Sequence, residues 1–179
     1  MSTELTVAAA DGVTLHATLR TPDTAAHGAV VFGSALAVPR RFYGRFAEYL
    51  AGRGYGSLTL DCRGVDGSGP EVAPGGVVLE HWGERDLDAA VRAARAELGV
   101  DRVFLVGHSL GGQLAGLAAA SEELAGLVLV GSCAPHPSRY PLRDRLRIEL
   151  MWRVLVPLLA RGPTSVSYTH LTLPTTERV

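Results

Sequence analysis

Gly107-His108-Ser109-Leu110-Gly111 stands between an apolar stretch, Arg102 to Val106, and a run of small residues, Leu110 to Ala120. A Gly-x-Ser-x-Gly pattern in that position requires the chain to turn sharply from strand to helix in a strained conformation that lifts the serine oxygen clear. Side chains at 107 and 111 would collide in such a turn, so both positions require glycine, and Gly112 extends the same freedom. The motif predicts a buried strand feeding a helix, with Ser109 as a candidate nucleophile. The helix should turn its first amides and its dipole toward Ser109, which makes the Leu110 N–H the expected donor to a developing oxyanion. A phosphate-cradling loop is the competing reading of a glycine-rich turn at a helix start. It is disfavoured because neither Gly-x-Gly-x-x-Gly nor the P-loop lysine is present.

The surrounding pattern predicts an α/β fold with a mainly parallel sheet. Glu4 to Ala10 and Val13 to Thr21 partly alternate around Asp11-Gly12, the signature of an antiparallel opening hairpin. Ala29 to Phe32 is wholly apolar, as expected of a strand covered on both faces. Phe42, Phe46, Tyr49 and Leu50 follow at helical spacing, with Gly52 and Gly54 marking a left-handed stop. Tyr55 to Leu60 reads as the next strand, and Asp61 to Gly76, rich in Gly and Pro, as a loop beside the site. Trp82 to Leu98 reads as a helix closed by Gly99, with Glu84, Asp86 and Asp88 early, where the helix dipole favours acids. Arg102 to Val106 is a strand, Leu110 to Ala120 a helix, and Leu124 to Val130 another buried strand. Right-handed crossovers would place these helices on both faces of the sheet.

Charge and cysteine usage exclude several functions. A formal net charge of −1 over 179 residues, with no Lys/Arg run, offers nothing to a phosphate backbone, so nucleic acid is not an expected partner. The start, Met1-Ser2-Thr3-Glu4, carries no secretion signal, which points to a cytoplasmic protein. The apolar stretch Ile148 to Ala160 is too short for a bilayer and is interrupted by Arg153 and Pro157, so no membrane span is expected. Cys62 and Cys133 lack metal-ligand spacing and read as core residues. No cofactor is expected, and the oligomeric state is open.

With the strand order, the elbow motif and the turn Asp61-Cys62-Arg63-Gly64 together, residues 10 to 160 resemble the α/β-hydrolase superfamily. Arg40-Arg41-Phe42-Tyr43, Tyr55 to Gly64, Trp82 to Leu87 and Gly107 to Leu117 look like bacterial hydrolases related to serine aminopeptidases and monoglyceride lipases. The resemblance implies a second oxyanion donor from the loop after the first parallel strand. Phe32-Gly33-Ser34-Ala35 occupies that loop, so the Ser34 amide is the expected donor, with Ala35 in reserve. It also implies that Asp61 and Arg63 shape the neighbouring loop and are not catalytic partners. Phe32 departs from the pattern, since many relatives carry His before this Gly.

The resemblance further implies a triad acid and then a histidine, both after the serine. Neither is found. Residues 1–134 read as the first part of the core, its sheet truncated after about six strands with an unpaired edge, and 135–165 as the start of a cap carrying Leu142, Leu146, Leu150, Trp152, Leu155 and Leu159, with Asp144 a solvated charge. His108 points the wrong way for a base, His16 and His27 precede the sheet, and His81 and His136 lie in loops. His170 has the right order, but Val166 to Thr175 resembles one reading frame of a transposon-end sequencing adapter, so residues 166–179 are expected to be non-native. The expected function is a serine hydrolase acting on a small-molecule acyl substrate, slowed on the order of 10⁴ to 10⁶ without its base. The alternative is a hydrolase-fold module that binds a ligand or partner without catalysis. Arg139, Arg143, Arg145 and Arg147 fit a solvated helix face better than a carboxylate site.

Overall fold

The structure is a computed structural model that describes residues 1–69, 72, 76–132, 138 and 140–155, with the backbone alone at 152 and 155. The chain divides into two compact units, Met1–Cys133 and Ala134–Val179. The predictions on Cys133, His136, Arg139, Leu159, His170 and the 166–179 tail lie outside the described residues.

The first unit is built on a six-stranded sheet in the order β1-β2-β4-β3-β5-β6. β1 (Ser2–Ala8) and β2 (Thr14–Arg20) form the antiparallel hairpin. Its turn is closed by the Gly12 amide on the Ala9 carbonyl at 2.9 Å. β3 (Ala29–Gly33) lies parallel to both β4 (Gly56–Leu60) and β5 (Val103–His108), and β5 is parallel to β6 (Gly126–Val130). Every residue of β3 and β4 is buried, which is why β3 reads as continuous apolar sequence instead of alternating.

Alternation along β3 sends its side chains to two cores. Val30 and Phe32 pack with Tyr43 and Ala47, on the side of α1 (Gly44–Ala51). Ala29 and Val31 join Leu58, Leu105, Ala90, Val91 and Ala94, on the side of α3 (Asp88–Leu98). Helical layers on both sides therefore clamp β3 and β5, the two strands that end at Gly33 and next to Ser109. Each fully buried Leu, Val or Phe in these layers contributes about 1.5–3 kcal/mol.

Several local expectations are corrected. Gly52 is right-handed at φ −64°, and the left-handed position is Gly54 at φ +82°. The helix expected from Trp82 begins earlier, at α2 (Leu79–His81), and continues through a π-type turn (Trp82–Leu87) into α3. Asp86 thus lies past the first turn, fully buried against Arg63 instead of at the helix start where the dipole would favour it. The helix expected over 110–120 is shorter. α4 (Leu110–Leu114) passes into 3₁₀ turns (Ala115–Leu117 and Ala119–Glu123) separated by extended backbone at Ala118. Of the residues predicted at helical spacing, Phe42, in the 3₁₀ turn Arg40–Tyr43 that precedes α1, and Phe46 and Tyr49 of α1 are exposed, and only Leu50 packs against the core, which Tyr43 and Ala47 enter.

β6 was expected to be buried. Instead Leu127, Val128, Leu129 and Val130 are each about half exposed (48–55%), because β6 is an edge strand that pairs with β5 alone among the described residues. Four consecutive apolar residues on an edge that no other described strand covers, with no charge or proline among them, are a template for pairing with a further strand or another chain. Val128→Lys should therefore reduce self-association, read as a lower mass by light scattering at high protein concentration. Its own stability cost should stay within about 0.5 kcal/mol, as for other exposed positions.

In the second unit, α5 (Leu142–Leu150) is followed by a π-type turn (Met151–Leu155). Asp144 sits in the first turn of α5, half exposed, 3.7 Å from Arg147. No helix among the described residues is long and apolar enough to cross a membrane.

Candidate active site

Ser109 occupies the point where β5 ends and α4 begins, and its backbone is strained at φ 50°, ψ −115°. A non-glycine residue at positive φ costs energy, and such strain persists only where its surroundings over-determine it. Here the restraints are identifiable. The Ser109 amide donates to the Val130 carbonyl at 2.9 Å, and the Ser109 carbonyl accepts from the Gly112 and Gln113 amides at 3.2 and 3.4 Å. The side chain remains partly exposed at the tip of the bend.

The two elbow glycines are required by close approach. A Cβ on Gly107 would lie 2.7 Å from the Gly112 nitrogen, and one on Gly111 would overlap the Gly33 carbonyl and lie 2.8 Å from the Gly33 Cα. Gly111 therefore presses the start of α4 directly against the end of β3, which brings the Gly33-Ser34-Ala35 loop to the elbow. Intrahelical bonding starts at Gly112 and Gln113, which leaves the Leu110 and Gly111 amides at the helix start without intrahelical partners. With five residues, α4 carries little macrodipole, so these local N–H groups are the electrostatic resource, not the dipole expected of a long helix.

Ser34 follows β3 and is buried, its hydroxyl 3.4 Å from the Leu60 carbonyl. The amide of Ala35, the reserve donor, is already engaged, donating to the Tyr43 hydroxyl at 3.0 Å. The same hydroxyl lies 3.1 Å from His108 Nδ1, and Phe42 stacks near the His108 ring, with centroids 6.3 Å apart. His108 is thus turned toward the α1 face. The sequence offers Tyr43 only as part of the Arg40-Arg41-Phe42-Tyr43 resemblance and gives it no role, because Phe42, Phe46, Tyr49 and Leu50 satisfy the helical spacing without it.

Asp61 and Arg63 lie after β4 and hold the adjoining loop. The Asp61 carboxylate accepts the Arg40 amide at 2.6 Å and pairs with its guanidinium. Arg63 is clamped between Asp86, at 2.6–2.9 Å, and Asp11, at 2.7–3.2 Å, and its carbonyl accepts the Trp82 indole N–H. Burial raises the Asp86 pKa despite Arg63. The Arg63 hydrogen bond holds Asp11 well below the usual carboxylate range. Burial also pushes the Cys62 thiol up, which disfavours a thiolate there.

Of the remaining described histidines, His16 lies on β2, with its amide bonded to Ser68 Oγ. His27 packs edge-on against Tyr55, and His81 ends α2. No histidine or carboxylate among the described residues is hydrogen-bonded to the Ser109 hydroxyl, and none of their His, Cys, Asp and Glu side chains form a metal-binding group of three.

The family defined by the alpha/beta hydrolase fold matches residues 30–161. No curated protein matches the chain. Among solved structures, a thermostable carboxyl esterase from Bacillus coagulans is 21% identical, with a TM-score of 0.65 over 85% of this chain and 51% of that one. A serine hydrolase without a lid from Xanthomonas campestris is 21% identical, with a TM-score of 0.60 over 80% and 65%. An esterase from Pyrococcus furiosus is 20% identical, with a TM-score of 0.58 over 70% and 49%. The chain thus spans from about half to just under two thirds of the length of these structures.

Proposed function

The chain belongs to the α/β-hydrolase family, and from that premise we propose that it carries the nucleophile half of a serine hydrolase acting on a carboxylic ester or related acyl bond. Ser109 is the nucleophile. The observation that carries this reading is its strained, partly exposed position at the junction of β5 and α4. A backbone held at positive φ there presents the hydroxyl beside the Leu110 and Gly111 amides, which have no intrahelical partner.

In the reaction, Ser109 Oγ attacks the acyl carbon as its proton passes to a base, and the carbonyl oxygen takes up negative charge. The Leu110 amide and the Ser34 amide donate to that oxygen. Collapse expels the alcohol, amine or thiol leaving group with a proton and leaves an acyl-serine, which water hydrolyses. The base and the acid that orients it come from outside the described residues, since no described partner reaches the hydroxyl. That same observation favours the second reading, a hydrolase-fold module that binds a small ligand or a protein partner without catalysis.

A fluorophosphonate probe separates the two. Mass spectrometry of the treated full-length parent, which also carries the base and its acid, should find the adduct on the Ser109 peptide and not in Ser109→Ala. Adducts spread over other serines with none at 109 would overturn the nucleophile assignment. Fast, Ser109-dependent turnover of p-nitrophenyl esters by this chain alone would instead place the base inside it.

A further inference from the structure

We infer that Tyr43 is a positioning residue for this chemistry, its hydroxyl tying the loop that carries the Ser34 amide to His108, the residue preceding Ser109. The assignment rests on the Ser109 reading above.

The geometry is a three-point junction. Tyr43 closes the 3₁₀ turn Arg40–Tyr43 and is 7% exposed. Its ring packs on Phe32 of β3 at a centroid distance of 5.4 Å and meets the His108 ring edge-on at 6.1 Å. Its oxygen accepts the Ala35 N–H at 3.0 Å and lies 3.1 Å from His108 Nδ1. One hydroxyl oxygen can satisfy both contacts, accepting from the amide and donating to an unprotonated ring nitrogen. Burial raises the Tyr43 pKa, so the phenol stays protonated, able to donate to the ring nitrogen or to accept from it according to the tautomer.

Two consequences follow for the oxyanion site. First, the Ala35 amide is occupied, so the loop donor is the Ser34 amide, one residue nearer the Gly33–Gly111 contact. Second, the loop is fixed to the elbow at two points on opposite sides of that donor: backbone contact at Gly33 with Gly111, and the hydroxyl at Ala35 with His108. A donor stabilises a developing oxyanion only when it is held within a few tenths of an ångström of its place, and a 1 Å displacement costs on the order of 10²-fold. A core tyrosine whose ring alone was needed would be equally served by phenylalanine.

The test is Tyr43→Phe, which keeps the ring and removes the oxygen. In phosphonylation, Ser109 Oγ displaces fluoride from phosphorus as its proton passes to the base, and the phosphoryl oxygen takes up charge in the five-coordinate transition state; no deacylation is required, so the rate reads donor placement directly. The maximal phosphonylation rate should fall about 10- to 100-fold, with the probe concentration at half-maximal rate unchanged. Hydrogen exchange at the Ala35 amide should speed up at least about tenfold as the clamp opens. A purely structural tyrosine would move the melting temperature and leave the rate intact in the folded fraction, and that result would overturn the inference. Should Tyr43→Phe fold poorly, the other end of the clamp answers the same question. His108→Gln, whose amide oxygen can still accept from the hydroxyl, should retain more of the rate than His108→Phe, and equal rates for the two would overturn the inference. Labelling that persists in Ser109→Ala removes the nucleophile reading and this assignment with it. Ser109-specific labelling indifferent to Tyr43→Phe removes this assignment alone.

Discussion

Gly111→Ala should lower the melting temperature by about 6–12 °C and slow Ser109 labelling, whereas Gly116→Ala, five residues on, should leave both unchanged. The difference lies in what the new methyl group meets. At 116 there is open space; at 111 a Cβ would overlap the Gly33 carbonyl and sit 2.8 Å from its Cα. Gly33 cannot retreat, because β3 is held in register between β4 and β5 and is buried throughout. A flexible side chain could rotate away from such a clash, but backbone cannot. Overpacking of this kind costs about 1–3 kcal/mol, occasionally more, and rigid backbone on both sides places this case at the upper end. For a chain of this size each kcal/mol lowers the midpoint by about 2–4 °C. Because any relief must separate the start of α4 from the Gly33-Ser34-Ala35 loop, the two sources of oxyanion donors move apart. Parallel thermal melts and labelling rates check this; coincident melting of the two variants would mean that the elbow tolerates the side chain.

What could be read from the sequence was what neighbouring residues decide. The elbow motif, the hairpin turn at Asp11-Gly12 and the wholly apolar β3 are local patterns, and each has one structural solution. The face of α1 is different. Phe42, Phe46, Tyr49 and Leu50 fall at helical spacing, but so do Tyr43, Ala47 and Leu50, so spacing alone does not choose between the faces. The sheet takes the second, because small Ala47 fits within the cluster of Val30 and Phe32, and because Tyr43 alone finds partners for its oxygen in Ala35 and His108. Asp86 was misplaced for a related reason: acids near a helix start are usually explained by the dipole, while its partner, Arg63, is 23 positions away in sequence. The exposure of β6 has no local signature at all, since an apolar strand reads the same at an edge as in the middle of a sheet. At the site, the position of Ser109 was legible, whereas the Tyr43 junction depended on three separate segments meeting.

Arg63→Met should destabilise the fold by about 3–5 kcal/mol at pH 7, a loss on the order of 10 °C in midpoint, and the deficit should shrink as the pH falls. Arg63 is almost wholly buried, with Asp86 fully buried on one side and Asp11 partly exposed on the other. Removing it leaves Asp86 an unpaired anion in the core, which is the costly way to break a buried pair. The signs follow from the two carboxylates. Asp86 already has a raised pKa from burial, so its ionised form weakens the fold as pH rises through the unfolded and then the folded pKa. Without Arg63 that penalty grows, and protonation at low pH removes it. Asp11 has a lowered pKa, chiefly through its hydrogen bond to Arg63, so it contributes stability above its unfolded pKa that is lost on acidification. The variant has forfeited most of that contribution at pH 7, so acid costs it less than it costs the parent chain. Both effects narrow the gap between the two proteins as pH is lowered from 7 through the carboxylate range. Asp86→Asn in the Arg63→Met background should then recover part of the stability at pH 7 and flatten the pH dependence. Urea unfolding at several pH values measures all of this, and a gap that stays constant from pH 7 to pH 4 would show that Arg63 contributes packing and not charge compensation.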